Sequence, residues 1–423
     1  MGWVLSVLPV ALLVAGFPFF LVLLATVIVA LAFFTSVPTT AAHQVMFGAL
    51  DKYALLAVPF FIFAGDLLGR GGVSIRIVRW VQAIIGRVRG SLPFTSLGTA
   101  VVFSAISGST AATVAAVGGL TYKGLREKGY SEKFATGLLI AAGAIDNLIP
   151  PSIGFILYGI ATETSIVKLF AAGAIPGLVL AAFFAVYIYR HAVVTGDQGG
   201  PPFRMRELVD ATRDGFWALA APVAVLGGIY VGIFSPTEAA GVACVYAILV
   251  SWLLYREASL KDVFDSASRS MYLTAQIFII LACAGVYSWL LTVSGVGPSI
   301  IAWITDLNLA PWTFLLSVNI LLLLVGMVLD TASAILILTP LLAPMAKAAG
   351  IDPIHFGVVV IMNLSIGTFT PPFGINIFVG QAVFKAPLSS IYPGLVPFIL
   401  CAIAALAVVT YIPQLSLWIL RLI

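Results

Sequence analysis

The chain has 423 residues, of which 61% are hydrophobic and only 9% are charged. A soluble domain carries about 25% charged residues, so this composition excludes an ordinary soluble fold. Apolar runs of roughly 20 residues, long enough to cross a bilayer, recur along the whole chain, and the alternating pattern of a β-barrel is absent. The net charge of +4 is concentrated in loops, which is typical of membrane proteins and not of nucleic-acid binding. The sequence therefore predicts an all-α polytopic membrane protein.

The first apolar run, residues 3–35, has no basic n-region and no convincing cleavage site. We interpret it as retained in the membrane and not as a signal peptide. It is expected to hold two spans, or a span and a part-span, joined near Gly16–Pro18. Three cysteines lie in other apolar runs and form no CxxC or Cys/His cluster, so we interpret them as small packing residues: Cys244, Cys283 and Cys401.

Positive charge orients the chain. Four basic loops are expected in the cytoplasm by the positive-inside rule: 70–89, 123–133, 190–213 and 256–269. Only one apolar stretch, 90–122, separates the first two. A single crossing would leave one basic loop outside, and a continuous helix would run about 50 Å across a core of ~30 Å. We therefore predict a re-entrant hairpin that turns within SAISGST, residues 104–110; the alternative is one long tilted helix.

The segment Arg76–Arg89 carries cations among apolar residues, which is typical of an amphipathic helix at the cytoplasmic interface. The other basic loops are joined by pairs of crossings, predicted at 134–160 and 168–189, and at 215–233 and 236–255. In the turn of the second pair, Ser235 and Glu238 have the spacing of a capping box with Pro236 at the first helical position. Glu238 is therefore expected to be structural.

The C-terminal half repeats this order. A span is predicted at 271–292, a second hairpin at 312–346 with Asp330 at its middle, and crossings at 354–384 and 391–412. Since few positive charges flank the second hairpin, we expect it to enter from the outside.

Two proline pairs relate the halves. Pro150-Pro151 in LIPPSIGF and Pro371-Pro372 in FTPPFGIN lie 221 residues apart, and the same offset aligns Ser109-Thr110 with Asp330-Thr331. Upstream, RIVRW (76–80) resembles SIIAW (299–303) at an offset of 223. Loop charges place the two copies in opposite orientations. Inverted repeats with interrupted helices are characteristic of secondary transporters, whose broken backbone lines a polar cavity near the midplane.

Hydroxyl, amide and backbone oxygens suit Na⁺, which prefers hard oxygen ligands. Each hairpin tip is predicted to face its own Pro-Pro break, which gives two related cation sites; the alternative is that the hydroxyls bond back to their own helices. The candidate ligands are, in the first half, Ser107, Ser109, Thr110, Asn147 and carbonyl groups before Pro150, and in the second half, Asp330, Thr331, Ser333, Thr368 and Thr370.

Asp330 is the best-supported single candidate for a cation ligand, because an ionisable group within an apolar stretch is functional by default. Asp146 has three open interpretations: a second ligand, a helix-end charge or a scaffold contact. Asn363 and Asn376 flank the second break and are candidates for substrate binding.

Four long motifs resemble the large membrane subunit of tripartite ATP-independent periplasmic (TRAP) transporters: LIPPSIGFILYGI (148–160), GIFSPTEAAGVACVYAI (232–248), GMVLDTASAILILTPLL (326–342) and GIDPIHFGVVVIMNLSIGTFTPPFGINIFV (350–379). The resemblance covers essentially the whole chain. It implies a protein of the ion transporter superfamily in the bacterial inner membrane. It also implies Na⁺-driven import of an organic acid anion, with no other cofactor, delivered by a periplasmic binding protein. A separate small membrane subunit is expected as a partner in the bilayer.

The resemblance also implies ion-binding roles for four segments: Ser107–Thr110, Asn147–Pro150, Gly326–Ser333 and Thr368–Thr370. Many members carry an acid shortly after the first Ser-Gly-Ser, where this chain has Thr113 instead. The composition of the first site therefore differs from that pattern.

An elevator mechanism is expected, with transport-domain segments 92–160 and 312–384. The scaffold is predicted to comprise 1–91 with the arm helix, 161–311 with a second arm, and the C-terminal helix in 385–423.

The main alternative to a TRAP subunit is a stand-alone ion-coupled anion transporter of the same superfamily. Two further alternatives are a passive channel and an intramembrane aspartyl hydrolase using Asp146 and Asp330. The substrate stays open among dicarboxylates, sialic acid, keto acids and sugar acids.

Overall fold

The computed structural model describes residues 2–35, 38–70, 72–295 and 310–422. Within these ranges the chain folds into helices joined by turns and loops, without a strand. The first half contains α1 Gly2–Val14, α2 Phe19–Phe34, α3 Thr39–Leu50, α4 Ala57–Arg70, α5 Val73–Ile85, α6 Ser91–Ser107, α7 Thr110–Glu127, α8 Glu132–Ala142, α9 Ile153–Thr162 and α10 Ile166–Val194. The second contains α11 Met205–Asp214, α12 Phe216–Tyr230, α13 Pro236–Ile248, α14 Leu260–Val293, α15 Pro311–Gly326, α16 Thr331–Ala348, α17 Pro353–Gly367, α18 Ile375–Phe384, α19 Leu388–Tyr411 and α20 Gln414–Leu417.

Six helical segments of the described chain are long and apolar enough to cross a membrane: Tyr53–Arg70, Ile166–Val194, Pro236–Leu254, Leu260–Val293, Thr331–Ala348 and Leu388–Tyr411. Shorter apolar helices accompany them, including both helices of the N-terminal run. The prediction of an all-α polytopic membrane protein is confirmed. The orientation of each segment across the membrane remains a prediction from loop charge.

The first re-entrant hairpin is present. Helix α6 ends at Ser107, α7 begins at Thr110, and the two helices pack against each other. Gly108 makes the turn with a φ of 66°, a conformation that costs glycine little because it lacks a Cβ. The alternative of one long tilted helix is therefore wrong.

The second hairpin turns between the end of α15 at Gly326 and the start of α16 at Thr331. Asp330 is the N-cap of α16, and its side chain accepts a hydrogen bond from the Ser333 amide at 3.0 Å. This satisfies one of the amides that every helix N-terminus leaves without an intrahelical partner. The acid at the middle of the apolar stretch thus starts a new helix.

Each Pro-Pro pair interrupts a helix. After α8, a short 3₁₀ turn spans Gly143–Asn147, and α9 begins only at Ile153. In the second half the chain is non-helical from residue 368 to 374, between α17 and α18. Proline lacks an amide donor and clashes with the preceding turn, so a helix cannot continue through the pair.

The repeat is visible in the helices themselves. The starts of α7 and α16 are 221 residues apart, and so are their ends. The two halves pack crosswise, because α7 lies against α18 of the second half and α16 lies against α9 of the first. These contacts between the halves bring both hairpins and both breaks close together. The further match at residues 299–303 lies outside the described residues.

The turn before α13 forms as predicted. The Ser235 hydroxyl accepts from the Glu238 amide, and the Glu238 carboxylate accepts from the Ser235 amide at 2.8 Å. Pro236 occupies the first helical position. Glu238 therefore has the structural role that its spacing indicates.

The basic segments contain more helix than the sequence predicts. Helix α14 begins at Leu260, because Ser259 and Asp262 form a second capping box, so Lys261 and Arg269 lie in a helix and not in a loop. The amphipathic helix expected over Arg76–Arg89 is shorter, since α5 ends at Ile85 where Gly86 has a positive φ. Loop 190–213 likewise contains most of α11.

Two helices assigned to the scaffold from sequence lie against the broken helices. Helix α19 packs along α8, and α10 packs against both α17 and α19. The division into moving and stationary parts stays a prediction.

Candidate functional site

Both hairpin tips and the first break line one cavity of about 510 Å³. Its remaining wall comes from the start of α2, Ile62 of α4, the middle of α14 and Ile375 at the start of α18. Six of the predicted ligands lie in its lining: Ser109, Thr110, Asn147, Asp330, Thr331 and Ser333. The tertiary structure thus brings together residues that are up to 224 positions apart in the sequence.

The first tip faces its own break, as predicted. A Cβ added at Gly108 would lie 3.1 Å from the carbonyl oxygen of Pro151. The buried Ser107 hydroxyl lies 3.3 Å from both the amide and the carbonyl of Ser109, so it stabilises the turn. On its other side the tip packs closely on α4, where a Cβ at Gly65 would lie 2.4 Å from the Ser107 carbonyl oxygen.

Asp146 lies behind this tip and is fully buried. Its Oδ2 accepts a hydrogen bond from the hydroxyl of Thr113, and its Oδ1 has no partner among the described residues. The Ser107 hydroxyl and the amides of Gly108 and Ser109 also lie close to the carboxylate. Of the three open interpretations, none is decided by this position, which shows only that Asp146 contacts the first hairpin.

The second tip is held by Asp330 and by two glycines. The Ser333 hydroxyl also donates to Asp330, whose side chain is nevertheless exposed towards the cavity. The helix ends at Gly326 and Gly367 meet directly, since a Cβ on Gly367 would lie 2.5 Å from the Cα of Gly326. Because neither glycine has a Cβ, the second tip can approach its own break closely. The second tip thus also faces its own break, as the sequence predicts for both halves.

Hydrogen bonds then cross between the halves. The Thr110 hydroxyl of the first tip donates to the Asn376 side chain at 2.9 Å. In the other direction, the Asn147 side chain of the first break donates to the Thr331 hydroxyl at 3.3 Å. Asn376 also donates to the Thr368 hydroxyl at 3.1 Å. Each hairpin tip is therefore hydrogen-bonded to the broken helix of the other half, through two separate sets of bonds.

Several predicted residues do not reach the cavity: Ser107, Pro150, Gly326, Asn363, Thr368, Thr370 and Asn376. Thr368 and Thr370 donate to carbonyl oxygens of their own helix at 2.6 and 2.7 Å, which is the alternative weighed for the hydroxyls. Asn363 is fully buried and donates to Asn319 at 2.8 Å. Its predicted contact with substrate is not supported by this position.

Two polar residues of the site were missed from sequence. Ser152 follows the first proline pair, is fully buried, and its hydroxyl has no partner among the described residues. Gln276 of α14 lies in the cavity wall. The available signals were a hydroxyl next to a helix break and an amide within an apolar run, and neither specifies which face of its helix is turned inward.

The chemistry of the cavity suits a hard cation and a small polar ligand. Its polar atoms are carboxylate, hydroxyl and amide oxygens, the ligands that hard cations prefer. Across the described residues, no three His, Cys, Asp or Glu side chains are clustered as a transition-metal site would require. The first residues of α7 and α16 also line the cavity, and helix N-termini attract anions.

Comparison with known proteins agrees with this geometry. The family model described as “Tripartite ATP-independent periplasmic transporter, DctM component” matches residues 6–415. The C4-dicarboxylate TRAP transporter large permease protein DctM of Pseudomonas aeruginosa is 41% identical over 372 residues, covering 88% of this chain and 87% of the relative. The ectoine/5-hydroxyectoine TRAP transporter large permease protein UehC of Ruegeria pomeroyi is 36% identical over 411 residues, covering 97% and 96%.

A solved structure shares the fold. The YdaH transporter of Alcanivorax borkumensis, described as having an unusual topology, superposes with a TM-score of 0.70 at 15% identity over 97% of this chain and 98% of that one. The resemblance predicted from the four sequence motifs is confirmed by the family match. Two hairpins, two broken helices and a shared polar cavity are thus found in a chain that belongs to the family of the DctM component, the large permease subunit of TRAP transporters.

Proposed function

We propose that this chain is the large subunit of a Na⁺-coupled secondary transporter that imports a small organic acid across the bacterial inner membrane. The observation that carries the proposal is the single cavity lined by both hairpin tips and the first break. Its oxygen atoms suit Na⁺, and the N-termini of α7 and α16 suit a carboxylate. Membership of a transporter family favours this role over the intramembrane hydrolase.

The same cavity supports a proposal for the substrate class. A volume of about 510 Å³ accommodates a small molecule, and the wall from α2 and α14 is mostly apolar, for example Phe19, Phe20 and Ile277. One relative is named for C4-dicarboxylates and another for ectoine, which share a carboxylate group. We therefore place the substrate among small carboxylates without choosing one member.

The mechanism we propose is an elevator. The two hairpins and two broken helices, at 92–160 and 312–384, move as one body because hydrogen bonds join their halves. We add α10 and α19 to this body, since they pack against α8 and α17. The scaffold is then α1–α5 and α11–α14. Na⁺ biases the cycle only by binding one conformation more tightly than another.

The partners proposed are those of the family: a periplasmic binding protein that delivers the substrate and a small membrane subunit that packs beside this chain. The stand-alone transporter differs in one observable respect, because its uptake does not need the binding protein.

The test uses this chain with its small subunit in proteoliposomes, with the cognate binding protein outside. Radiolabelled succinate and ectoine are the first substrates, with an inward Na⁺ gradient, a K⁺ gradient or none. Accumulation that requires both Na⁺ and the binding protein is the expected result. Accumulation without the binding protein supports the stand-alone alternative, and equilibration without accumulation supports a passive channel.

A further inference from the structure

The two sides of the cavity differ in chemistry. The hairpins and the first break supply carboxylate, hydroxyl and amide groups, for example at Asp330, Ser109 and Asn147. The opposite side belongs to helices of the proposed scaffold and is formed by Pro18, Phe19, Phe20, Ile62, Leu273, Gln276, Ile277, Ile279 and Ile280. Among the described residues, Gln276 is therefore the one polar side chain that the scaffold contributes to the cavity.

Gln276 belongs to the stripe of α14 that faces the cavity. Leu273, Gln276, Ile277 and Ile280 have the i, i+3, i+4, i+7 spacing of one helix face, and all four line the cavity. The helix packs against α2, α3 and α4 of the scaffold and against α16 of the second hairpin. A long, packed helix and not a loop therefore positions this glutamine.

The amide of Gln276 has unused hydrogen-bonding capacity. The residue is exposed, and its side chain makes no hydrogen bond to another residue of the described chain. An amide offers two N–H donors and one carbonyl acceptor, and a polar group within a membrane span is costly when these stay unpaired. The apolar neighbours Leu273, Ile277 and Ile280 offer no side-chain partner, so the partner of Gln276 is a molecule in the cavity.

The charges around the cavity suit an organic acid as that molecule. No Arg, Lys or His is among the described residues of the lining, so neutral donors must bind the anion. The N-termini of α7 and α16 provide such donors on the hairpin side. A small molecule that fills a cavity of about 510 Å³ also touches the opposite wall, where Gln276 is the available donor.

We propose that Gln276 hydrogen-bonds the polar group of the substrate that lies farthest from the hairpin tips. The substrate is then a small organic acid with a second polar group at its other end. This inference rests on the proposed function and adds a substrate-binding residue from the scaffold. Because α14 does not travel in the proposed elevator, the bond forms only where the hairpins face α14, and it favours substrate binding in that conformation.

The test measures thermal unfolding of this chain with its small subunit in nanodiscs at saturating NaCl. The probes are succinate, ectoine and sialic acid, since relatives are named for C4-dicarboxylates, ectoine and sialic acid. In Gln276→Leu, the substrate concentration for half-maximal stabilisation is expected to rise at least about fivefold, the factor that corresponds to one typical hydrogen bond. Leucine suits this apolar helix face, so the variant is expected to fold.

Gln82→Leu is the matched control. Gln82 is an exposed glutamine of the scaffold helix α5, its side chain has no hydrogen bond in the described chain, and it does not line the cavity. Its substrate midpoint is expected to stay within twofold of wild type.

Gln276→Glu separates a bond to the substrate from a packing role. Glutamate keeps the shape of glutamine, but its carboxylate repels an anion. Binding of succinate or sialic acid is therefore expected to weaken more than in Gln276→Leu, whereas a residue that only fills space would tolerate glutamate better than leucine.

The remaining outcomes are also decisive. Substrate midpoints within twofold of wild type in both Gln276 variants overturn the inference, and Na⁺-dependent accumulation by the same variants would leave the proposed function intact. A higher Na⁺ midpoint without substrate, with an unchanged substrate midpoint at saturating NaCl, assigns the amide oxygen to the cation and also overturns the inference. A wild-type complex that none of the three probes stabilises contradicts the proposed function and this inference together.

Discussion

Thr110 donates a hydrogen bond to Asn376 at 2.9 Å, although 266 residues separate them in the chain. Thr331, the equivalent of Thr110 in the second half, is bonded to Asn147 of the first half. Each hairpin tip is therefore fastened to the broken helix of the other half. A displacement of one tip therefore strains or breaks a hydrogen bond to the broken helix of the other half. Such bonds between the halves are what a body that moves as one unit requires.

This bond gives the first prediction. In Thr110→Val the buried Asn376 side chain loses its donor, and leaving a buried polar group unsatisfied costs about 1–3 kcal/mol. A double-mutant cycle with Asn376→Ala, measured by reversible unfolding in mixed micelles, is expected to give a coupling energy of about 1 kcal/mol.

Thr121→Val is the control for that cycle. The Thr121 hydroxyl donates only to the carbonyl of Val117, one turn earlier in the same helix, at 2.8 Å. Its coupling to Asn376→Ala is expected to be close to zero. A coupling energy of similar size for both threonines would contradict a specific stabilising hydrogen bond between Thr110 and Asn376.

The second prediction concerns Asp330, which caps α16 and also faces the cavity. Asparagine is as good an N-cap as aspartate, so Asp330→Asn removes the charge and keeps the helix start. Loss of a supporting partner alone lowers metal affinity 10–100-fold, so loss of this carboxylate is expected to raise the half-maximal Na⁺ concentration for uptake by at least about tenfold.

Asp352→Asn is the matched control for Asp330. Asp352 caps α17 in the same way, accepting from the amides of Ile354 and His355, and it is not in the cavity lining. Its variant is expected to keep the wild-type Na⁺ dependence. Equal effects of the two substitutions would refute a ligand role for Asp330.

The third prediction tests the contact between α4 and the first tip. In Gly65→Ala the new methyl group would lie 2.4 Å from the Ser107 carbonyl oxygen, so backbone must shift. Such overpacking typically costs about 1–3 kcal/mol. Uptake is expected to fall along with thermal stability, because the displaced tip belongs to the cavity wall.

Gly227→Ala serves as its comparison. No atom lies within 4 Å of a Cβ built at this helical glycine, so alanine is expected to be neutral or stabilising by up to about 1 kcal/mol. A Gly65→Ala protein that melts and transports like Gly227→Ala would mean that the tip is not in close contact with α4 in the working protein.

The fourth prediction concerns Asp197, in the loop after α10 and outside the spans. Burial acts to raise the pKa of Asp197, but hydrogen bonds from Tyr130 and the Gly199 and Gly90 amides, with the Lys128 charge, outweigh it. The pKa therefore lies below its usual range. These bonds tie the base of the first hairpin to the end of α10.

Because the pKa of Asp197 is lower in the folded state than the unfolded-state pKa of about 3.9, ionised Asp197 stabilises the protein at pH values above about 3.9. This stabilisation is lost as the pH falls through the folded-state pKa. The melting temperature of Asp197→Asn is thus expected to fall short of wild type at neutral pH and to approach it in acid. Asp265→Asn is the control, because Asp265 is exposed and has no hydrogen bond or ion pair in the described chain. A constant difference between Asp197→Asn and wild type at all pH values would rule out this linkage.

Local chemistry explains which parts of the fold were predictable. The hairpin turn at Gly108, the breaks at the proline pairs and the capping box at Ser235 each depend on a few neighbouring residues. Glycine admits a positive φ, proline removes a donor, and a short polar side chain caps a helix in any tertiary context. The exact length of α14 was missed, because its capping box lies inside a segment that loop charge alone describes as basic.

The sequence by itself determined the class of protein, the order of its hairpins and breaks, and the family motifs, since these follow from hydropathy, backbone chemistry and short patterns. Only the tertiary structure decided which polar groups meet. Thr113 and Asp146 are 33 residues apart, and Thr110 and Asn376 are 266 apart. Whether such side chains touch depends on the rotation and depth at which whole helices pack, and no local preference specifies either.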